Sequence, residues 1–140
     1  MKEFLLNLLG YKPLETILLY SGSLDDSWNY IDFHTRCDDK GPTITLFQIK
    51  NGDCIGGYTE ATWETKCGYK KDDSAFLFNL TRSLKFASKG SGKEIFCGSA
   101  YGPCFSGSDI YLIQPFNGEN NCFSYVDREG YKIELEGGKN

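Results

Sequence analysis

A predicted β-hairpin within residues 37–63 constrains the fold of this chain more than any other stretch. Asn51-Gly52 separates two apolar runs. Asn-Gly is the strongest short-range signal for a two-residue hairpin turn, because both central residues of a type I′ turn need positive φ. The first run, residues 44–49, is apolar on both faces, a pattern typical of a strand in the middle of a sheet. The hairpin is therefore predicted to form the centre of the fold.

Further strands, separated by turns, are predicted along the rest of the chain. Gly56 and Gly57 interrupt the second hairpin strand, and strand glycines usually mark a bulge or a close backbone approach. Near the end of the chain, Tyr131, Ile133 and Leu135 alternate with charged residues, as in a half-buried strand. Other apolar runs predict strands at 17–20, 75–80, 83–86, 95–98, 109–114 and 122–126, whereas the polar residues 63–73 predict a loop.

Two segments near the N-terminus have the spacing of amphipathic helices. The first occupies residues 1–12, and the second begins at Ser23, where Asp26 lies close to a capping-box position. The apolar side chains expected to face the core are Phe4, Leu5, Leu8 and Leu9 in the first helix and Leu24, Trp28 and Ile31 in the second. Strands spaced by turns, with helices at the start, predict an antiparallel α+β or sandwich architecture.

Length and charge limit the classes of function. A chain of 140 residues makes one domain with a substantial core. Its net charge of −4 and its lack of a basic cluster exclude the electrostatic footprint of a nucleic-acid-binding protein. Six cysteines raise the alternative of a secreted disulfide domain. The N-terminal apolar run carries Glu3 and Asn7 and lacks a cleavage site, so we expect reduced thiols in the cytoplasm and no transmembrane segment.

Chemistry-bearing residues do not assemble into a recognisable catalytic or metal motif. His34 is the single histidine, and it is predicted to pack against the core with its ring nitrogens hydrogen-bonded. The cysteines contain no C-x₂-C pair of the kind that zinc sites use. The best candidate for a reactive thiol is Cys67, which lies among lysines in a polar loop. We therefore predict no catalytic, cofactor-binding or metal-binding residues, and thiol redox chemistry at Cys67 as the one enzymatic alternative.

The ordered motifs of the chain resemble the TLDc domain, and the protist members of that family most closely. FH, CD-KGPT, GGYT, a tryptophan and AFLFNL follow one another, with the weaker match GPCFSGSDIYL after them. The resemblance implies an α+β fold, a two-sheet antiparallel β-sandwich flanked by helices, with the domain body at residues 14–135 of one domain, 1–140. The motif residues, for which it implies structural roles, are Phe33, His34, Cys37, Gly41, Pro42, Thr43, Asn51, Gly52, Gly56, Gly57 and Trp63.

The resemblance also implies a kind of function. TLDc proteins are associated with protection against oxidative stress, and several bind the vacuolar-type proton pump and promote its disassembly. The family has no agreed catalytic residues and implies no cofactor. A non-enzymatic protein-binding module is therefore expected, cytoplasmic or peripheral to a membrane complex or the cytoskeleton, with proton-pump subunits as candidate partners. Two alternatives remain: a structural subunit of a large protist assembly, and a thiol-based antioxidant protein.

The end of the sequence suggests where a partner could bind. TLDc domains normally finish with a further strand, often containing a Glu-Val-aromatic tripeptide, whereas this chain stops at GGKN just after Leu135. Either the protein is naturally short, the sequence is truncated, or a partner supplies the last strand. A missing strand leaves a sheet edge at Tyr131, Ile133 and Leu135, and an unpaired edge invites β-augmentation. These three residues form the predicted partner-binding edge.

Overall fold

The computed structural model describes residues 2–10, 15–25, 29–66, 68–106, 109–113, 122–124 and 130–134. It contains the helices α1 (Lys2–Leu8), α2 (Gly22–Asp25) and α3 (Tyr30–Cys37). The strands are β1 (Thr43–Gln48), β2 (Cys54–Thr59), β3 (Gly68–Lys70), β4 (Phe76–Asn79), β5 (Leu84–Ser88), β6 (Ile95–Cys97), β7 (Tyr101–Phe105), β8 (Ile110–Ile113), β9 (Cys122–Ser124) and β10 (Tyr131–Glu134).

These strands form two antiparallel sheets of five strands each. The first sheet has the order β1-β2-β4-β5-β10, and the second has the order β3-β6-β7-β8-β9. The sheets pack face to face, because one buried cluster joins Leu77 of the first sheet to Ile95, Phe105 and Ile110 of the second. The α+β sandwich expected from the sequence is confirmed.

Aromatic rings occupy the middle of this sandwich. Trp63 is only 1% exposed. Its ring lies edge-on to Phe105, with centroids 5.6 Å apart, and edge-on to Phe33 of α3 at 5.9 Å. Phe105 in turn contacts the ring of Tyr131 in β10. Edge-to-face packing of this kind adds to the free energy gained by burying the rings.

A second apolar cluster lies on the outer face of the first sheet, under α1. Phe76 and Phe78 of β4 point to this face, whereas Leu77 between them points into the sandwich, as strand alternation requires. The helix contributes Phe4, Leu5, Leu8 and Leu9, which are the side chains predicted to form its apolar face. A helix is therefore present where one was predicted, but it ends at Leu8 instead of continuing to residue 12, and Leu9 and Gly10 form a turn.

The predicted hairpin is present, but its turn and its place in the sheet differ from the prediction. Gly52 N donates to Ile49 O at 2.9 Å, and Gly52 has positive φ whereas Asn51 does not. A type I′ turn needs positive φ at both residues, so that prediction was wrong. β1 is an outer strand of the first sheet, and β4 is its middle strand. Ile44, on the outer face of β1, packs against the same apolar cluster as α1. Its apolar character therefore reflects cover on that face and does not require a central position in the sheet.

Both glycines of β2 allow close approach, and the pairing of β2 with β1 and β4 continues through them without a bulge. A Cβ at Gly57 would lie 2.5 Å from the ring of Phe105 in the opposite sheet. A Cβ at Gly56 would lie 2.0 Å from Thr45 O and 2.8 Å from the Phe78 ring on the outer face. The absence of side chains at these two positions lets the two apolar layers approach β2 closely.

The predicted second helix is two helices. Asn29 caps α3, with its Oδ1 accepting a hydrogen bond from Asp32 N at 2.9 Å. This cap separates α3 from α2 and places a different face inward. Leu24 and Ile31, expected in the core, are exposed, and Trp28 lies outside the described residues. The residues of α3 that are buried are Phe33, His34 and Cys37.

Two further predictions were wrong in detail. Residues 17–20 form no strand: Ile17 and Leu18 are exposed, while Leu19 and Tyr20 pack against the core. The segment 63–73, predicted as a loop, contains the short strand β3. The other predicted strands, at 75–80, 83–86, 95–98, 109–114, 122–126 and the C-terminal stretch, correspond to β4, β5, β6, β8, β9 and β10.

Candidate protein-binding edges and the motif residues

The FH and CD-KGPT motifs meet at one corner of the fold, where α3 ends and β1 begins. Phe33 and Cys37 are buried in the core. The Gly41-Pro42 peptide bond is cis, and Thr43 follows as the first residue of β1. The Thr43 hydroxyl accepts a hydrogen bond from the Trp63 indole at 3.0 Å. This contact connects the start of β1 to the core tryptophan. The motif residues at this corner therefore contribute contacts within the fold.

His34 links this corner to the second sheet. Its Nε2 lies 2.9 Å from the carbonyl oxygen of Tyr101, the first residue of β7, and 3.1 Å from that of Gly98, which directly follows β6. Because carbonyl oxygens only accept hydrogen bonds, Nε2 carries a proton and donates it. Nδ1 lies 2.6 Å from the carboxylate of Asp38, whose other oxygen accepts from the Thr65 hydroxyl at 3.0 Å. Both ring nitrogens are engaged by oxygen atoms of the protein.

The remaining motif residues belong to the β1–β2 hairpin. Asn51 Oδ1 accepts from Asp53 N at 2.8 Å, which closes the turn together with Gly52. Asp53 then receives hydrogen bonds from the Asn79 amide at 2.9 Å and from Arg82 Nε at 2.6 Å. These two bonds hold the pKa of Asp53 below its ordinary value. The hairpin end is thus fastened to the β4–β5 connection.

Three of the four cysteine side chains that the structure describes are buried, and the fourth, Cys54, is half-buried. Cys37, Cys54, Cys97 and Cys104 form no disulfide. Burial, aided by the negative charge of Asp38, raises the pKa of Cys37 to about 11. Burial also raises the pKa of Cys54. A thiol with a raised pKa is a poor source of the reactive thiolate. The candidate reactive thiol, Cys67, lies outside the described residues.

The predicted partner-binding residues Tyr131 and Ile133 belong to β10, the outer strand of the first sheet opposite β1; Leu135 lies outside the described residues. Lys89 N donates to Gly130 O at 2.7 Å, next to the β5–β10 ladder. Hydrogen-bonded and non-bonded pairs alternate along an antiparallel ladder. The peptide groups of Tyr131 and Ile133 therefore point away from β5. Among the described strands, none pairs with them on that side.

Side-chain contacts fix β10 from within. Tyr131 is fully buried, and its hydroxyl donates to Glu94 O in the second sheet at 2.7 Å. Burial and the nearby negative charges of Glu94, Asp72 and Asp109 raise the pKa of Tyr131. Gly130 N, directly before β10, donates to Asp109 Oδ2 at 2.9 Å. These contacts anchor the start of the edge strand to the rest of the sandwich.

Sequence reasoning missed the polar centre that these contacts reveal. Thr59, Glu94, Ser106 and Asp109 are all fully buried. The Glu94 carboxylate accepts hydrogen bonds from the Ser88 hydroxyl at 2.9 Å and from Asp72 N at 3.2 Å. Their sequence neighbourhoods are rich in Gly, Ser and Lys, which predicts exposed turns and gave no signal of burial.

An aromatic row on the second sheet was also missed. Tyr69 of β3, Phe96 of β6 and Tyr101 of β7 stack edge to face, with successive ring centroids 5.1 Å apart. Lys93 Nζ lies 5.4 Å from the centre of the Tyr69 ring. Tyr69 is exposed and the other two rings are half-buried. The three residues come from separate strands, so only the sheet pairing brings them together.

Metal-binding groups and membrane-spanning helices are absent from the described part of the chain. Within those residues, no three His, Cys, Asp or Glu side chains are placed to hold a metal ion. Nor does any helix there have the length and apolar content needed to cross a bilayer. The geometry that does stand out is a β-sandwich whose outer strand presents peptide groups for pairing.

Such a molecule is a small α+β sandwich domain of the kind that can bind another protein through a sheet edge. The sequence pattern of the TLDc domain matches residues 2–135, nearly the whole chain. The chain belongs to the TLDc domain family. A search of curated proteins found no match to it.

Proposed function

We propose that this chain is a non-enzymatic protein-binding module that receives an extended segment of its partner along β10. The observation that carries the proposal is the outward direction of the Tyr131 and Ile133 peptide groups, which follows from the β5–β10 register. In β-augmentation, such peptide groups supply affinity through main-chain hydrogen bonds, and side-chain pockets supply specificity. Membership of the TLDc family supports a role in protein interaction.

The rigidity of β10 favours this role. Its inner side is fixed by the ladder to β5 and by the Tyr131–Glu94 hydrogen bond. A strand that is already ordered loses little conformational entropy when a partner pairs with it, so more of the interaction energy is available as affinity. A partner segment of three to five residues would extend the first sheet without rearranging the core.

The family-implied partner is a peripheral subunit of the vacuolar-type proton pump, and the family-implied role is regulation of that pump in protection against oxidative stress. Such a role places the protein in the cytoplasm, at the surface of a membrane complex. The chain's acidic balance, −4 overall, suits a partner surface that carries basic residues. A structural subunit of a larger assembly is the second candidate, because a rigid edge also serves a permanent contact.

A pull-down of the intact protein from native cell extract, with bound proteins identified by mass spectrometry, tests the proposal. Enrichment of peripheral proton-pump subunits would support pump regulation. Stoichiometric, salt-resistant enrichment of tubulin or another scaffold without pump subunits would contradict it and favour the structural role. A thiol antioxidant function predicts that Cys67→Ser abolishes protection against peroxide, whereas the binding module predicts unchanged protection.

A further inference from the structure

β1, the other outer strand of the first sheet, also presents peptide groups with which none of the described strands pairs. Ile49 N donates to Asp53 O at 3.0 Å, one residue beyond the β1–β2 ladder. Counting back from this bonded pair in steps of two, residues 47, 45 and 43 bond toward β2. The peptide groups that point away from β2 are those of Ile44, Leu46 and Gln48.

The other side of β2 gives the same alternation. Cys54 stands opposite Gln48 in the β1–β2 register. Leu80 N donates to Cys54 O at 2.8 Å, so the Cys54 peptide groups are turned toward β4. When the peptide groups of a β2 residue bond to β4, they cannot also bond to the β1 residue that stands opposite. The outward direction of Gln48, and therefore of Leu46 and Ile44, follows from this independent hydrogen bond.

This edge lacks the devices that normally protect an outer strand. Natural edges carry charges, prolines or bulges that prevent pairing with another chain. β1 has the sequence TITLFQ, without a charged residue or proline, and its register with β2 is regular. Leu46, at its middle, is 54% exposed. An uncharged, regular, apolar edge of this length is expected to be covered in the working state of the protein.

We infer that β1 pairs with β1 of a second copy, antiparallel and with Leu46 on the two-fold axis, so that two first sheets become one continuous sheet. In this register Leu46 faces Leu46 of the second copy, and Ile44 faces its Gln48. Every outward peptide group then bonds to an outward peptide group, giving about six main-chain hydrogen bonds. A two-fold contact needs a self-complementary surface, and an uncharged strand meets this condition.

Charges next to β1 favour the antiparallel direction. Lys50 follows the strand and is exposed. The exposed charged residues near the beginning of the strand are two acidic ones and one basic one, Asp39, Glu60 and Lys40, so that end is negative on balance. Antiparallel pairing brings Lys50 of each copy toward Asp39 and Glu60 of the other. Parallel pairing would instead bring the two lysines together. Opposite charges at the two ends of one strand therefore select the two-fold arrangement.

The dimer would also cover apolar surface that one copy leaves partly open. α1 has no fully buried residue, although Phe4, Leu5, Leu8 and Leu9 all pack on the outer face of the first sheet. A neighbouring β1 on the same sheet adds a second Leu46 and Ile44 to this face. On the inner face it places Phe47 beside Thr45 of the other copy, a favourable aromatic and β-branched cross-strand pair.

A charge-reversal experiment at Leu46 tests the inference. Sedimentation equilibrium of the full chain should show a concentration-dependent dimer. Leu46→Lys and Leu46→Glu each place two like charges across the two-fold axis, and each should weaken the dimer by about tenfold or more, since this factor needs only ~1.4 kcal/mol. Mixing the two variants in equal amounts should restore a dimer made of one copy of each. Gln48→Pro, which removes an outward N–H, should weaken the dimer, while Gln48→Ala should leave it unchanged.

Three results would overturn the inference: a wild-type protein that stays monomeric up to high micromolar concentration, a dimer that Leu46→Lys leaves intact, or single-charge variants whose mixture fails to associate. The restored heterodimer also excludes misfolding as the cause of weakening in the single variants. Because β10 lies at the opposite edge of the sheet, capture of a partner there is independent of this result.

Discussion

At the scale of single residues, His34 joins three parts of the chain. Its ring bridges Asp38 at the end of α3 to the carbonyl oxygens of Gly98 and Tyr101. Only 8% of His34 is exposed, so water has little access to its ring nitrogens. Sequence reasoning could anticipate a buried, hydrogen-bonded histidine, but not its partners, two of which lie more than 60 residues away in the sequence.

His34→Ala is expected to destabilise the protein by about 2–4 kcal/mol, because it removes the hydrogen bonds from Nε2 to Tyr101 O and Gly98 O and opens a cavity. Urea unfolding, followed by tryptophan fluorescence, measures the change. The matched control is Thr35→Ala, one residue along α3 on the exposed face, which should change stability by less than about 0.5 kcal/mol. Equal losses in the two variants would show that the His34 contacts contribute nothing specific.

Gly57→Ala should destabilise by about 1–3 kcal/mol through overpacking. The added methyl would lie 2.5 Å from the ring of Phe105, so one sheet must move away from the other. Combining Gly57→Ala with Phe105→Leu tests the cause, because the smaller side chain leaves room for the methyl. The double variant should lose less stability than the sum of the two single variants, by at least ~0.5 kcal/mol. Strict additivity would contradict a clash between these two residues.

At the scale of elements, Asp72 holds together the segments that leave β2 and enter β4. Its carboxylate accepts hydrogen bonds from the Thr59 hydroxyl at 2.6 Å, from Glu60 N at 2.8 Å and from Ser74 N at 3.0 Å. Partial burial alone would raise the pKa of Asp72, but the hydrogen bonds from Ser74, Thr59 and the backbone outweigh burial and lower it below 3.8.

A lowered pKa in the folded state fixes the sign of the pH dependence. The ionised Asp72 contributes stability that is fully present above its unfolded pKa, and this contribution is lost as pH falls through the lower folded pKa. Asp72→Asn should therefore be less stable than wild type at pH 6, and the gap should narrow below about pH 4. Urea unfolding across this pH range measures the gap. The exposed Asp73→Asn serves as control, and a gap for Asp72→Asn that does not change with pH would contradict the argument.

The elements also show how far sequence patterns reach. Apolar runs bounded by turn residues identified most strands, and the spacing of Phe4, Leu5, Leu8 and Leu9 identified the face of α1 that packs on the sheet. Periodicity reports which faces are covered but not what covers them. For β1, apolar residues on both faces indicated a central strand. Its outer face instead packs against the cluster under α1, and along one edge no described strand pairs with it.

Other errors have equally local causes. The spacing of Leu24 and Ile31 predicted one continuous helix. Asn29 lies between them and caps α3, so a new helix begins there and the spacing does not continue across it. β7 contains Gly102 and Pro103, and its pairing with β8 shifts register between Tyr101 and Cys104. Strand signals are weak in such a stretch. β10 was predicted as a strand from its alternation, whereas its outer position was expected only from the family resemblance, because position within a sheet depends on long-range pairing.

At the scale of the whole molecule, the first sheet of the sandwich has two outer strands with outward peptide groups, β10 and β1. The chain's family membership favours protein interaction, and we propose that the two edges divide that role: β10 for a different protein and β1 for a second copy. Both surfaces use backbone groups, so neither leaves a residue motif in the sequence.

The most direct test of the central claim is quantitative capture of partner by Ile133→Pro compared with Ile133→Ala. The N–H of Ile133 points away from β5, so proline there preserves the ladder within the sheet and removes only an outward donor, as natural edge prolines do. Both variants should unfold at similar urea concentrations. The account predicts that Ile133→Pro loses at least about tenfold in partner capture relative to Ile133→Ala. Equal capture by the two folded variants would show that the partner does not pair with β10.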